Sequence, residues 1–173
     1  NGTLWPDDVG SFVARHAIAQ IQISFDGMAD RHNKIRRFRL KNDQQMGMSS
    51  FELASNLIDR LAHLVRVDAR FNLDCANASE LLSFVEYARD RGWFDKPYPV
   101  VIQPARVSDY SERSSFLRSH KLSLAEFDQI RADLRAASRA GSGFSIEESE
   151  APDGYPYPKT SVCAALVDDS PRL

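Results

Sequence analysis

Cysteine is scarce: Cys75 and Cys163 are the only two in 173 residues. Two thiols so far apart make no disulfide framework, and reduced side chains or a metal role suit them better. Long apolar runs are missing, and none approaches the roughly 20 residues that a membrane span needs. Neither sign of charge dominates, because 22 Lys and Arg face 24 Asp and Glu. The resulting net charge of -2 gives no general drive toward nucleic acid or anionic membranes. Neither G-x-G-x-x-G nor G-x4-G-K-[ST] occurs, which counts against the familiar dinucleotide and nucleoside-triphosphate loops. With no charged-then-apolar leader pattern at its start, a cytoplasmic location is the expectation.

What is present is the composition of an ordinary globular domain, 43% hydrophobic and 27% charged, with enough apolar material for a sizeable core. The chain opens on Asn1-Gly2-Thr3-Leu4 without Met and closes on Ser170-Pro171-Arg172-Leu173. Both ends read as interior cuts of a longer protein.

Pro6-Asp7-Asp8 followed by Val9, Phe12, Val13 and Ile18 predicts a short helix, with proline and acids in its first turn. Residues 19–25 alternate apolar and polar and stop at Asp26-Gly27, which predicts a strand and a turn. Residues 31–48 are polar, basic and irregular and read as a long loop on the functional face. Ser49 and Ser50 can cap a helix whose apolar face is Phe51, Leu53, Ala54, Leu57, Ile58, Leu61 and Leu64. A strand over 64–73, a helix over 79–91, a strand over 98–103 and a helix over 123–139 follow. Ser123 and Glu126 of the last helix have capping-box spacing.

Strands alternating with helices predict an α/β fold with a parallel sheet, three consecutive strands with flanking helices curling the same way into a partial (β/α) TIM-like barrel. This domain would span 1–144. An acidic, then proline-rich linker would follow over 145–160, and a remnant of a further element over 161–173.

In α/β barrels ligands gather at the C-terminal ends of the strands. Those ends hold Ser24, Phe25, Asp26 and Gly27, then Arg70, Asn72, Asp74 and Asn77, then Gln103 and Arg106. Carboxylates, amides, a hydroxyl and guanidinium groups on one rim can hold a polar, zwitterionic ligand, with an Arg clamping a carboxylate. Taken singly, Asp-Gly is an ordinary turn, and Asn72 or Asp74 can cap the next helix. His16 and His63 read as solvated helix residues, and Trp93 and Phe94 as packing. His32, Arg36 and Arg37 are candidate substrate contacts, within a basic cluster that includes Lys34, Arg39 and Lys41.

Gln22-Ile23-Ser24-Phe25-Asp26-Gly27, then His32-Asn33-Lys34-Ile35-Arg36-Arg37, then Ser49-Ser50-Phe51 resembles one region of radical S-adenosylmethionine (SAM) enzymes with a SPASM extension. In that family a "QISLDG" strand end precedes "HD-x-x-R" and a Thr/Ser-Phe helix start. Asn1-Gly2-Thr3-Leu4 is similar to the family's "TNGTL" turn, and Arg70-Phe71-Asn72-Leu73-Asp74 with Asn77 to its "R-x-N-x-D…N".

The resemblance implies a [4Fe–4S] cluster on a Cys-x3-Cys-x2-Cys loop, SAM chelated to it, and hydrogen abstraction from a substrate by a 5′-deoxyadenosyl radical. The protein's share would be binding, orientation and shielding. It places Ser24, Asp26, Arg70, Asn72, Asp74, Ile102 and Gln103 at the SAM site and Cys163 at an auxiliary cluster. It also implies a small-molecule, peptide or protein substrate and an electron donor such as a flavodoxin or ferredoxin, with no nucleic acid or membrane partner. The Cys-x3-Cys-x2-Cys loop is absent from this sequence, so the chain by itself is expected to be inactive. The alternative is a non-catalytic α/β domain that binds a partner or a nucleotide-like ligand; an ordinary phosphate-binding barrel enzyme is a weaker third.

Overall fold

The computed structural model describes residues 5–36, 49–107, 120–138 and 145–146. In chain order the elements are α1 (Val9–Arg15), β1 (Gln20–Phe25), α2 (Ala29–Ile35), α3 (Ser50–Leu61), β2 (Arg66–Leu73), α4 (Leu81–Asp90), β3 (Val101–Arg106), α5 (Leu124–Ala137) and β4 (Ser145–Ile146). Short tight helical turns at Ala78–Glu80 and Trp93–Asp95 flank α4.

The strands form one parallel sheet in the order β1-β2-β3-β4. The α/β alternation and the parallel pairing are as the sequence predicts. No pairing joins β1 to β4, so among the described residues the sheet is open. The first two residues of the stretch read as a linker, Ser145 and Ile146, pair with Val101 and Ile102. The loop expected over 31–48 is corrected in its first part, because α2 carries the chain through Ile35.

The two faces of the sheet differ sharply. Ile23, Phe25, Val67, Ala69, Phe71, Leu73 and Ile102 are buried on one face. Against them pack Phe51, Leu57, Ile58 and Leu61 of α3 and Leu81, Phe84 and Val85 of α4, in one continuous core. Its centre is aromatic: Phe25 lies 5.3 Å from Phe51 and 4.8 Å from Phe84, and Phe71 lies 4.9 Å from Phe84. Tilted and edge-on rings at such separations add attraction beyond the area they bury. Trp93 is fully buried, and its indole N–H donates to Asp59 Oδ1 at 2.7 Å. The expectation of a packing role for Trp93 holds.

The other face carries Gln20, Gln22 and Ser24 of β1, Arg66, Asp68, Arg70 and Asn72 of β2, and Gln103 of β3 between the apolar Val101 and Ala105. Side chains two residues apart share a face, so this segregation follows from the alternation in the sequence.

Helix ends are fixed locally. Ser49 accepts from the N–H of Glu52 while Glu52 Oε2 accepts from the N–H of Ser49, and Ser123 and Glu126 repeat the arrangement. Ser49→Ala and Ser123→Ala are each expected to cost about 1 kcal/mol of stability in urea denaturation.

Candidate functional site

The register sets the polar face in rows. Ser24 lies opposite Arg70, and Arg70 opposite Gln103, so these three stand side by side across the sheet. The side-chain amide of Gln22 donates to the side-chain Oε1 of Gln103, joining β1 and β3 over the same surface. Below them, near the strand starts, Gln20 and Arg66 donate to the buried Asp68 carboxylate, Arg66 at 3.0 Å. That carboxylate is internally neutralised.

Above the row lies the rim. Asp26 follows the last residue of β1, and its two carboxylate oxygens are held separately. Asn72 Nδ2 donates to Oδ1 at 2.7 Å, and Arg36 Nε donates to Oδ2 at 2.5 Å. Burial works to raise the Asp26 pKa, but the hydrogen bonds from Arg36 and Asn72 and the Arg36 charge outweigh it and hold the group below 3.8. Asn72 Oδ1 in turn accepts from Arg70 Nε at 3.1 Å. The chain Arg36–Asp26–Asn72–Arg70 thus runs from one guanidinium to another along the strand ends. Arg70 has no carboxylate partner among the described residues, and its Nε bond to Asn72 leaves both Nη groups available.

The turn under Asp26 is pinned by side chains. Its N–H donates to His32 Nδ1 at 3.2 Å, and its carbonyl accepts from Arg31 Nε at 3.2 Å and Asn77 Nδ2 at 3.0 Å. Met28 N–H donates to Glu80 Oε2 at 2.6 Å. Gly27, between them, has φ +140° and no room for a Cβ, which would lie 2.7 Å from Arg31 Cδ and 2.8 Å from Glu80 Oε2.

Of the SAM-site residues expected from sequence, the fold brings together Ser24, Asp26, Arg70, Asn72 and Gln103. Two do not join them. Ile102 is fully buried on the helix-packed face, since neighbours in a strand point to opposite sides. Asp74 is spent on structure: Oδ1 accepts from the N–H groups of Ala76 and Asn77 at 2.8 and 3.1 Å, and Oδ2 from Arg31 at 2.5 Å. It is the turn residue that opens the path into α4.

His32 also differs from expectation. It lies within α2, 1% exposed, with its ring 5.4 Å from Phe25 and 5.7 Å from Phe51. A substrate contact through that ring is not accessible, and its function is to pin the Asp26 turn. Burial is the main reason its pKa falls from 6.5 to about 4, with the Arg36 charge adding to the fall and Asp26 opposing it. Arg36 does reach the rim, through Asp26. Arg37 and Cys163 lie outside the described residues.

Sequence reasoning missed the clamping by Arg31 and Glu80, and it gave no role to Gln22. Gln22 was accessible from alternation, two residues before Ser24 and so on the same face. Arg31 and Glu80 carry no local pattern that announces a contact with a turn many residues away.

The polar face carries the groups that recognise a zwitterionic ligand in general: the Arg70 Nη groups suit a carboxylate, and the amides and Ser24 offer donors and acceptors beside it. No group of three His, Cys, Asp or Glu suitable for a metal occurs among the described residues. Cys75 is exposed, with its thiol 3.0 Å from the carbonyl of His120. Among the described residues no helix is long and apolar enough to cross a membrane. Comparison with protein-family models, with curated proteins and with solved structures finds no match.

Proposed function

We propose that this chain is the second half of a radical SAM partial barrel with a SPASM-type extension, and that Ser24, Asp26, Arg70, Asn72 and Gln103 form part of its SAM-binding surface. One observation carries the reading: a parallel sheet whose one face is mainly polar, set by Gln20, Gln22, Ser24, Arg66, Asp68, Arg70, Asn72 and Gln103. Parallel sheets are ordinarily covered on both sides, and their strands are then apolar on both. A polar face with an Arg that has no carboxylate partner among the described residues suits a sheet curved around a polar ligand, as in a partial barrel. The motif resemblance points to the same residues.

On this reading Arg70, oriented by Asn72, clamps the ligand carboxylate through its Nη groups, and Ser24 and Gln103 bond the polar atoms beside it. Asp26 stays ionised under the hold of Arg36 and Asn72 and fixes the height of the rim. The SAM–cluster pair, when bound, supplies one-electron cleavage of SAM and abstraction of a hydrogen atom from a small-molecule, peptide or protein substrate. Two cysteines cannot provide three thiolates, so the cluster ligands would lie outside this chain, and a flavodoxin- or ferredoxin-like donor would supply the electron.

The test is reductive SAM cleavage by the complete gene product, reconstituted anaerobically with iron and sulfide. The expected result is bound iron and 5′-deoxyadenosine formation, with Arg70→Ala lowering kcat/KM about 10- to 100-fold, as loss of a charge-assisted bond does. A product that holds no iron and leaves SAM intact overturns the proposal. It favours instead a non-catalytic α/β domain that binds a partner or nucleotide-like ligand, a second reading consistent with how fully Asp26 and Asn72 satisfy each other.

A further inference from the structure

The β1–β2 ladder ends at Phe25 opposite Phe71, while β2 runs on against β3 as far as Leu73. Asp26 and Asn72 therefore face each other just beyond the last residue pair of the β1–β2 ladder, with Asn72 still paired to Ala105 of β3. Adjacent strands are twisted by some 20–25° relative to each other, so two strand ends without a tie diverge. Yet Asn72 Nδ2 meets Asp26 Oδ1 at 2.7 Å. Something must hold the two ends together.

Asn77 meets that need. It is 1% exposed and uses its whole side chain. Nδ2 donates to the carbonyl of Asp26 at 3.0 Å and to the carbonyl of Asn72 at 2.8 Å, and Oδ1 accepts from the N–H of Asp74 at 2.8 Å. One planar amide thus ties the end of β1, the end of β2 and the turn that leaves β2. An amide is the group that can do this, because it offers two donors and an acceptor in one rigid plane. None of these contacts reaches the Asp26 carboxylate itself.

We propose that Asn77 is a positioning residue: its amide holds the ends of β1 and β2 at one height, so that Asn72 can present its own amide to the Asp26 carboxylate on the rim. The assignment concerns the rim's geometry; only its consequence for SAM rests on the function proposed above.

The experiment follows the Asp26 carboxyl carbon by NMR through an acid titration of the chain. Its variants are Asn72→Ala, Asn77→Ala, Asn77→Ser and the double variant Asn72→Ala/Asn77→Ala. Asn77→Ser keeps an acceptor for the Asp74 N–H while losing the paired donors, and so guards against a variant that does not fold. Val67→Ala, a core truncation near the start of β2, serves as the stability control.

The expected result is that Asp26 titrates below the ordinary aspartate range in the parent chain and moves up towards it in Asn72→Ala. It should move the same way in both Asn77 variants, although Asn77 does not touch the carboxylate. Asn77→Ala should add less on top of Asn72→Ala than it does alone, because part of its effect passes through Asn72. Val67→Ala should lower the melting temperature and leave the titration in place. In the parent chain the Asn77 side-chain amide protons should exchange slowly with solvent.

An Asp26 titration in Asn77→Ala and Asn77→Ser that matches Val67→Ala overturns the proposal, and so does fast exchange of the Asn77 amide. A second readout is SAM affinity, expected to be about tenfold weaker in Asn77→Ser, the scale of one hydrogen bond's alignment. Unchanged affinity in a parent chain that binds SAM overturns the positioning role. If the parent chain does not bind SAM, the functional reading fails and the Asp26 titration alone decides the role of Asn77.

Discussion

Lowering the pH from 6.5 to 4 should remove about 3 kcal/mol of folding stability through His32 alone. The histidine is buried against Phe25 and Phe51, and its pKa is pushed down to about 4 in the folded chain. In the unfolded chain the ordinary value of 6.5 applies. Between those two values the unfolded state binds the extra proton and the folded state does not, so stability falls as the pH falls. Below about 4 both states are protonated and the loss from this group is complete. Asp26 acts later in the same direction: its folded pKa lies below 3.8, so its contribution is lost as the pH falls through that lower range.

Protonation would also turn the Nδ1 acceptor of the Asp26 N–H into a donor, releasing the turn from within. Urea midpoints measured at intervals from pH 7 to pH 4 check this. His32→Phe keeps an aromatic ring but strands the Asp26 N–H. It should be less stable at pH 7 and have a much flatter profile between 6.5 and 4. A parent chain with a flat profile over that interval would show that the ring is not held neutral by the fold.

Gly27→Ala should cost about 3 kcal/mol, from two sources that act together. The backbone at φ +140° lies where a side chain is strained, at about 1–3 kcal/mol. The added methyl also meets Arg31 and Glu80, whose displacement loosens the bonds to Asp74 and to the Met28 N–H, each of the order of 1 kcal/mol or more. Chemical denaturation of the variant checks the total. In a Glu80→Ala background the same substitution should cost less, because one of the two obstructing side chains is gone while the backbone strain remains. A loss below about 1 kcal/mol would mean that the Asp26–Gly27 turn relaxes freely, which is inconsistent with a preorganised rim.

Much of this arrangement was legible in the sequence because it follows from short-range rules. The alternation of Gln20, Gln22 and Ser24 with Ile21, Ile23 and Phe25 fixes a two-faced strand. The spacing of Ser123 and Glu126 announces the start of α5. Strand and helix alternation leads to the parallel sheet without any contact being known.

What escaped depends on tertiary contacts. α2 has a histidine as its only buried residue, so it presents no apolar stripe; what ties it down is tertiary, Arg31 to Asp74 and Asn33 to the start of α3. Asp74 and Asp26 look alike as carboxylates at strand ends, yet one is consumed by a turn and Arg31 while the other stands on the rim. Only the partners tell them apart. Ile102 is a different kind of error, since the two-residue period of a strand already separates it from Gln103.

On the proposed function, the polar face of this sheet receives SAM at its strand ends. Backbone amide chemical shifts of the isotope-labelled chain, followed while SAM is titrated to millimolar concentration, test it most directly. The expected shifts saturate together at Ser24, Asp26, Arg70, Asn72 and Gln103, with Leu57 and Val85 on the helix side unmoved and the response lost in Arg70→Ala. Absence of any shift, or shifts confined to the helix side, would contradict it.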